Sequence, residues 1–119
     1  MDIQCTERAR CLIVRIDGEI DHHTADMIRT QVDKQFARST ARHIIFDLEA
    51  VRFMDSSGIG MIIGRYRALE SMGGKVFAVR LDSGLNRLFE ISGLKKIIIC
   101  HADVDAALAD AKGGQHHAG

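Results

Sequence analysis

Short apolar runs alternate along this chain with longer stretches of helical periodicity, and this alternation restricts the fold more than any other feature. Residues 11–17 alternate apolar and polar side chains, with Leu12, Val14 and Ile16 on one face, which predicts a strand. Residues 44–46 are consecutively apolar, as in a strand buried on both faces. Because strands that alternate with helices favour parallel pairing, we predict an α/β fold with a mostly parallel sheet.

The predicted order of elements is β-β-α-β-α-β-α-β-α. The strands are predicted at residues 3–5, 11–17, 43–48, 75–80 and 96–100. The helices are predicted at 22–39, at 57–72, from 82 or 83 to 93, and after Asp103. The chain contains no proline, so glycines and polar turns must end these elements. We assign residues 1–112 to a single domain and expect the glycine-rich segment 113–119 to be a flexible tail.

Composition narrows the classes of function. The formal net charge is zero, so nucleic acid is not expected as a partner. No apolar run approaches the roughly 20 residues that span a bilayer, and no signal peptide is visible, so no membrane partner is expected. The cysteines form no paired motif, which predicts buried thiols and a cytoplasmic location. These cysteines are Cys5, Cys11 and Cys100.

Residues 53–60, Phe-Met-Asp-Ser-Ser-Gly-Ile-Gly, place two serines and two glycines at the start of a predicted helix. The first N–H groups of a helix have no partner within it, so a Ser or Asp side chain, or an anion, can bind them. A phosphate there also meets the positive end of the helix dipole. Ser56 is therefore a candidate phosphoacceptor, and Gly58 and Gly60 leave room for a partner's backbone or a nucleotide. A simple helix cap is the alternative interpretation.

Catalytic interpretations of this segment fail on their motifs. A nucleophile elbow requires G-x-S-x-G, whereas Met54 and Asp55 precede Ser56. A P-loop requires Lys-Ser/Thr after its glycines, and residues 59–61 contain neither. Spacing alone places no histidine beside the serine, as a hydrolase would need. We therefore predict a binding module that is not an enzyme. The arginines around this helix are expected to be mostly solvated: Arg52, Arg65 and Arg67.

Residues 18–24 contain adjacent histidines between two acidic residues. His22 and His23 are neighbours on a predicted helix, so they do not face the same direction and no metal site is expected. Asp21 or Thr24 can cap the helix. A surface that contacts a partner is the other interpretation, and we select Asp21 and His22 because this strand-to-helix junction could lie beside Ser56.

Three segments resemble the anti-sigma factor antagonists of the STAS-domain family. They are Gly-Glu-Ile-Asp-His-His-Thr-Ala at 18–25, Phe-Met-Asp-Ser-Ser-Gly-Ile-Gly at 53–60 and Arg-Leu-Phe-Glu-Ile-Ser-Gly-Leu at 87–94. The resemblance covers residues 3–111, although residues 82–84 replace a position where relatives often have proline. It implies the STAS fold: a mixed, mostly parallel sheet of about five strands, with about four helices packed mainly on one face.

The resemblance also implies a regulatory cycle. The unphosphorylated protein would bind an anti-sigma factor serine kinase, which would then release its sigma factor, sigma-F of sporulation. The kinase would use its own ATP to phosphorylate Ser56, so this chain would need no cofactor. A PP2C-type phosphatase would reverse the modification. The expected partner contacts are Asp21, His22, Asp55, Ser57, Gly58, Ile59 and Gly60. A STAS module of another circuit, in general stress or lipid transport, is the alternative.

Overall fold

The computed structural model describes residues 1–113 as six strands, four α-helices and one short 3-10 helix. The strands are β1 (Asp2–Arg8), β2 (Cys11–Ile20), β3 (His43–Asp47), β4 (Val51–Met54), β5 (Val76–Val79) and β6 (Ile99–His101). The helices are α1 (His22–Arg38), α2 (Ser56–Glu70), α3 (Ser83–Ile91) and α4 (Val104–Gly113), with the 3-10 helix at Leu94–Lys96. Within residues 1–113, none of these helices has both the length and the apolar character required to span a bilayer.

The sheet confirms the predicted mixed, mostly parallel architecture. Its main path is β1-β2-β3-β5-β6. The strand β1 is antiparallel to β2, whereas β2, β3, β5 and β6 are mutually parallel neighbours. Since the parallel strands all leave the sheet at the same edge, the loops that follow them meet there.

Strand β4 is an addition to the predicted order of elements, which has no strand between residues 48 and 57. It pairs in parallel with the last residues of β2, and the register shifts between Gly18 and Glu19. Gly18 has a φ of +135°, which L side chains rarely adopt, so glycine is needed at this irregularity. The two halves of β2 therefore pair with different strands, the first half with β3 and the last residues with β4.

The helices pack mainly on one face of the sheet, as expected. The larger core combines that face with α1, α2 and α3, represented by Ile28, Ile62 and Phe89, all of which are fully buried. Helix α4 covers the opposite face, where Ala107 and Ala111 pack in a smaller core with residues of β2, β3 and β5. Close packing of these apolar surfaces is the main stabilising contribution to the fold.

Three further details differ from expectation or extend it. The last strand begins at Ile99 rather than at residue 96, because Gly93, with a φ of +82°, leads into the 3-10 helix. Helix α4 continues to Gly113, so the first residue of the predicted tail is helical. Residues 114–119 lie outside the described residues, and their flexibility stays a prediction.

Among the cysteines, Cys11 is buried, whereas Cys5 and Cys100 are only half-buried.

Candidate functional site

Two strand-to-helix junctions lie side by side at the carboxyl edge of the sheet. Ile20 at the end of β2 pairs with Met54 at the end of β4. The Asp55 N–H donates to the Ile20 carbonyl oxygen at 3.0 Å, which connects the two junctions. The residues that follow are Asp21 with His22 and Ser56 with Ser57. The structure thus confirms that these predicted site residues lie on neighbouring segments.

Ser56 is the first residue of α2, and it is exposed. Asp55 caps the helix, since its carboxylate accepts from the Ser57 N–H at 2.8 Å and its carbonyl accepts from the Gly58 N–H at 3.1 Å. Among residues 1–113, no hydrogen bond involves the Ser56 hydroxyl. The hydroxyl is therefore accessible, next to a helix N-terminus that favours negative charge.

The two glycines that follow Ser56 have different surroundings. A Cβ atom on Gly58 would lie 2.5 Å from Met54 Cγ and 2.9 Å from Ile20 Cγ2, so packing between the junctions requires glycine. A Cβ atom on Gly60 would have no heavy atom within 4 Å. Gly58 is buried, whereas Gly60 is exposed. The fold therefore explains Gly58 but gives no reason for Gly60.

Asp21 is the cap of α1, which resolves the choice between Asp21 and Thr24. Its carboxylate accepts from the Thr24 N–H at 2.9 Å and from the His23 N–H at 3.0 Å, while Thr24 Oγ1 accepts from the Asp21 N–H at 2.9 Å. The hydrogen bonds from Thr24, foremost among several favourable contacts, lower the pKa of Asp21. These hydrogen bonds occupy one carboxylate oxygen of Asp21. The contact of Asp21 with a partner stays a prediction.

A cleft of about 610 Å³ separates the first turns of α1 and α2. It contains His22, Ser57 and Gly60 among the predicted site residues. Sequence reasoning missed the α1 residues Asp26, Met27 and Arg29, which also line it. Met27 is 48% exposed, so an apolar residue outside the buried stripe of α1 was the available signal. Phe53 at the end of β4 is also exposed, at 49%.

The arginines around α2 only partly match the prediction of a solvated face. Arg52 and Arg67 are exposed, and Arg52 pairs with Asp17 at 3.3 Å. The side chain of Arg65 is only 11% exposed, and its Nε lies 3.0 Å from Asp33 Oδ1. That contact joins α1 to α2, but it lacks hydrogen-bond alignment, and burial lowers the pKa of Arg65.

A charge network holds the loop that leads from β3 to β4. Asp47 is 3% exposed, and its carboxylate accepts two hydrogen bonds from Arg80, at 2.6 and 3.2 Å. Arg15 contacts the same carboxylate at 3.3 Å, and the Glu49 N–H donates to it at 3.2 Å. Arg80 has a φ of +59°, which is uncommon for a residue with a side chain. This network fixes the point from which the chain enters β4 and the Ser56 turn.

The amino-acid sequence matches the model of the STAS domain over residues 2–108. It is 41% identical over 98 residues to an anti-sigma F factor antagonist of Paenibacillus polymyxa, covering 82% of this chain and 84% of the relative. It is 30% identical over 98 residues to an anti-sigma-B factor antagonist of Staphylococcus aureus (strain NCTC 8325 / PS 47), with coverages of 82% and 90%.

Solved structures agree with these sequence matches. The unphosphorylated form of the anti-sigma factor antagonist SpoIIAA superposes with a TM-score of 0.81 at 28% identity, covering 94% of this chain and 97% of that one. The phosphorylated form of the Bacillus cell fate determinant SpoIIAA superposes with a TM-score of 0.69 at 28% identity, with coverages of 89% and 96%. The chain therefore belongs to the STAS-domain family, among the anti-sigma factor antagonists.

Proposed function

We propose that the unphosphorylated protein binds an anti-sigma factor through the Ser56 end of the molecule, and that phosphorylation of Ser56 ends this binding. The observation that carries the proposal is the exposed Ser56 hydroxyl, at the start of α2 and without a hydrogen-bond partner among residues 1–113. The existence of SpoIIAA in phosphorylated and unphosphorylated forms supports a switch of this kind.

The switch requires no rearrangement of the chain. A phosphoryl group adds about −1.5 to −2 charges and three acceptor oxygens. The α2 N-terminus favours negative charge, so the isolated protein tolerates the modification. In an interface centred on Ser56, the same group would be desolvated without a matched partner, at a cost of several kcal/mol. Local charge and bulk are therefore sufficient to release the partner.

The classes of partner are inferred from the anti-sigma factor antagonists that this chain resembles. We assign the anti-sigma factor to the serine kinases, which bind ATP and would phosphorylate Ser56. The enzyme that removes the phosphoryl group is assigned to the PP2C-type phosphatases. The sigma factor that is released is assigned to sigma-F. The 41% identity to an anti-sigma F factor antagonist supports this circuit. A sigma-B circuit is the second candidate, supported by the 30% identity to an anti-sigma-B factor antagonist.

Intact mass after incubation with ATP and the anti-sigma F factor tests the phosphorylation. We expect the wild-type protein to gain one phosphoryl group and the Ser56→Ala variant to gain none. Repeating the reaction with an anti-sigma-B factor distinguishes the two circuits. If neither kinase modifies the protein while both modify their own antagonists, the proposed switch is wrong.

Two glycine substitutions separate folding from binding. We expect Gly60→Ala to stabilise the fold by roughly 0.5–1 kcal/mol, because alanine is the better helix residue and its Cβ meets no atom. We expect the same change to weaken binding of the anti-sigma factor about tenfold, because a methyl group would stand where a partner approaches closely. Urea denaturation and calorimetric titration measure the two effects.

Gly58→Ala is the matched control for that experiment. Its Cβ would overlap Met54 and Ile20, so overpacking should destabilise the fold by about 1–3 kcal/mol. Unchanged affinity in Gly60→Ala would remove Gly60 from the interface, whereas the Ser56 assignment would stand on its own measurement.

A further inference from the structure

Strand β1 is an open edge of the sheet whose outward-facing groups can be identified. Its connection to β2 is a two-residue loop, Ala9 and Arg10, with φ values of 49° and 66°. Positive φ at both positions is typical of a type I′ hairpin, in which the flanking pair, Arg8 and Cys11, exchanges both backbone hydrogen bonds. Since bonded and non-bonded pairs alternate along antiparallel strands, the odd-numbered residues of β1 point their backbone groups away from β2.

One contact independently supports this alternation. The Gln31 side chain of α1 donates to the Ile3 carbonyl at 3.5 Å, which requires that carbonyl to face outward. Ile3, Cys5 and Glu7 thus present their N–H and C=O groups at the edge. The bond from Gln31 is long and exposed, so it can be displaced at little cost. Seven residues in continuous register, without a bulge, form an edge on which another strand can pair.

The sequence of this edge is complementary to itself. In an antiparallel pairing of two copies with Cys5 opposite Cys5, the outward-facing backbone groups of Ile3 pair with those of Glu7, and those of the two Cys5 residues pair with each other. The Glu7 carboxylate is already bonded to Thr40 within its own copy. On the other face of the strand, Asp2 lies opposite Arg8, and this attractive pair occurs twice because of the two-fold symmetry. No two like charges are placed opposite each other in this register. A shift by two residues would lose backbone hydrogen bonds and the Asp2–Arg8 pairs.

Charges within a single copy favour the same arrangement. Asp2 is paired in register with Asp17 of β2, which places two carboxylates side by side. Asp17 forms an ion pair with Arg52 at 3.3 Å, whereas Arg8 forms a longer ion pair, 3.8 Å, with the exposed Asp105. An arginine from a second copy would therefore balance a carboxylate that lies in an unfavourable position.

We propose that β1 is a self-association edge, at which a second copy of this chain pairs antiparallel about Cys5 and extends the sheet across both molecules. The contact is narrow, so the dimer is weak and forms reversibly with concentration. The inference concerns a different strand from the one that leads to Ser56, and its test needs no anti-sigma factor. It therefore stands or fails separately from the proposed function.

Sedimentation velocity of the full chain over a range of concentrations, under reducing conditions, tests the dimer. We expect Arg8→Asp to raise the dimer dissociation constant about tenfold or more, because both Asp2–Arg8 attractions become repulsions. The charge-swapped variant with Asp2→Arg and Arg8→Asp should recover a constant within about threefold of the wild type, because it restores both attractions. Circular dichroism checks that each variant is folded.

Thiol cross-linking tests the register. With diamide as the two-electron oxidant, a dimer paired about Cys5 should give a disulfide between the two Cys5 residues, since directly opposite Cα atoms lie within disulfide range. Cys5→Ser should abolish the covalent dimer, whereas Cys100→Ser should retain it. A monomer at every concentration would overturn the proposal. A dimer whose dissociation constant is unchanged in Arg8→Asp would also overturn it, as would a dimer that cross-links through another cysteine.

Discussion

Glutamate in place of Ser56 is expected to raise the dissociation constant for the anti-sigma factor about 100-fold. A charge without a partner inside a protein interface costs about 2–5 kcal/mol, and 1.4 kcal/mol corresponds to a factor of ten. The stability of the fold should not decrease, because Ser56 is exposed and a carboxylate at the start of α2 interacts favourably with the helix dipole. Calorimetric titration measures the affinity, and thermal unfolding measures the stability.

Glutamine at the same position separates charge from size. Ser56→Gln has nearly the same volume as the glutamate variant but no charge, so we expect it to lose much less affinity. Ser56→Ala should bind as tightly as the wild type. If Ser56→Glu bound the anti-sigma factor as tightly as the wild type, negative charge at Ser56 would not be the release signal.

The Ser56 turn could be predicted from the sequence because its physics is local. A helix N-terminus with Asp55, two serines and two glycines carries the information for capping and anion tolerance within eight residues. The placement of Asp21 and His22 beside it was predicted from their position at a strand-to-helix junction, and the parallel pairing of β2 with β4 confirms that placement. The cleft residues around Met27 were missed, because their exposure depends on how far α2 covers α1, which no local pattern reveals.

The fold was predicted where apolar patterns are long and missed where they are short. Strand β4 has only four residues, and its two inner residues, Arg52 and Phe53, are exposed, so the segment resembles a turn. The last strand was placed too early because residues 97–100 form one apolar run. The structure divides this run, since Ile98 packs in the larger core before β6 begins. Such divisions depend on tertiary packing, which overrides local propensity.

Asparagine in place of Asp47 is expected to destabilise the fold by about 2–4 kcal/mol. The carboxylate is almost fully buried, and through Arg15 and Arg80 it joins β3 to β2 and to the residue that follows β5. Breaking a buried ion pair typically costs 3–5 kcal/mol, and the cost is reduced here because the side chains of Arg15 and Arg80 are 40% and 37% exposed and can be hydrated. The bidentate bond also restrains Arg80, whose φ of +59° is uncommon for a residue with a side chain.

Glu49→Gln is the matched control for Asp47→Asn, because Glu49 contacts the same two arginines, each at 3.3 Å, but is itself about half exposed. An exposed pair contributes up to about 1 kcal/mol, so this change should cost much less.

Burial alone raises the pKa of Asp47, but the hydrogen bonds from Arg80 and Glu49 and the charges of both arginines lower it overall. Its contribution is therefore complete above about pH 4, the unfolded pKa, and is lost as the pH falls through the lower folded pKa. The difference in unfolding free energy between the wild type and Asp47→Asn, measured in urea, should shrink in that acidic range. If both variants lowered the free energy of unfolding equally at neutral pH, the buried carboxylate of Asp47 would contribute no more to stability than the exposed one of Glu49.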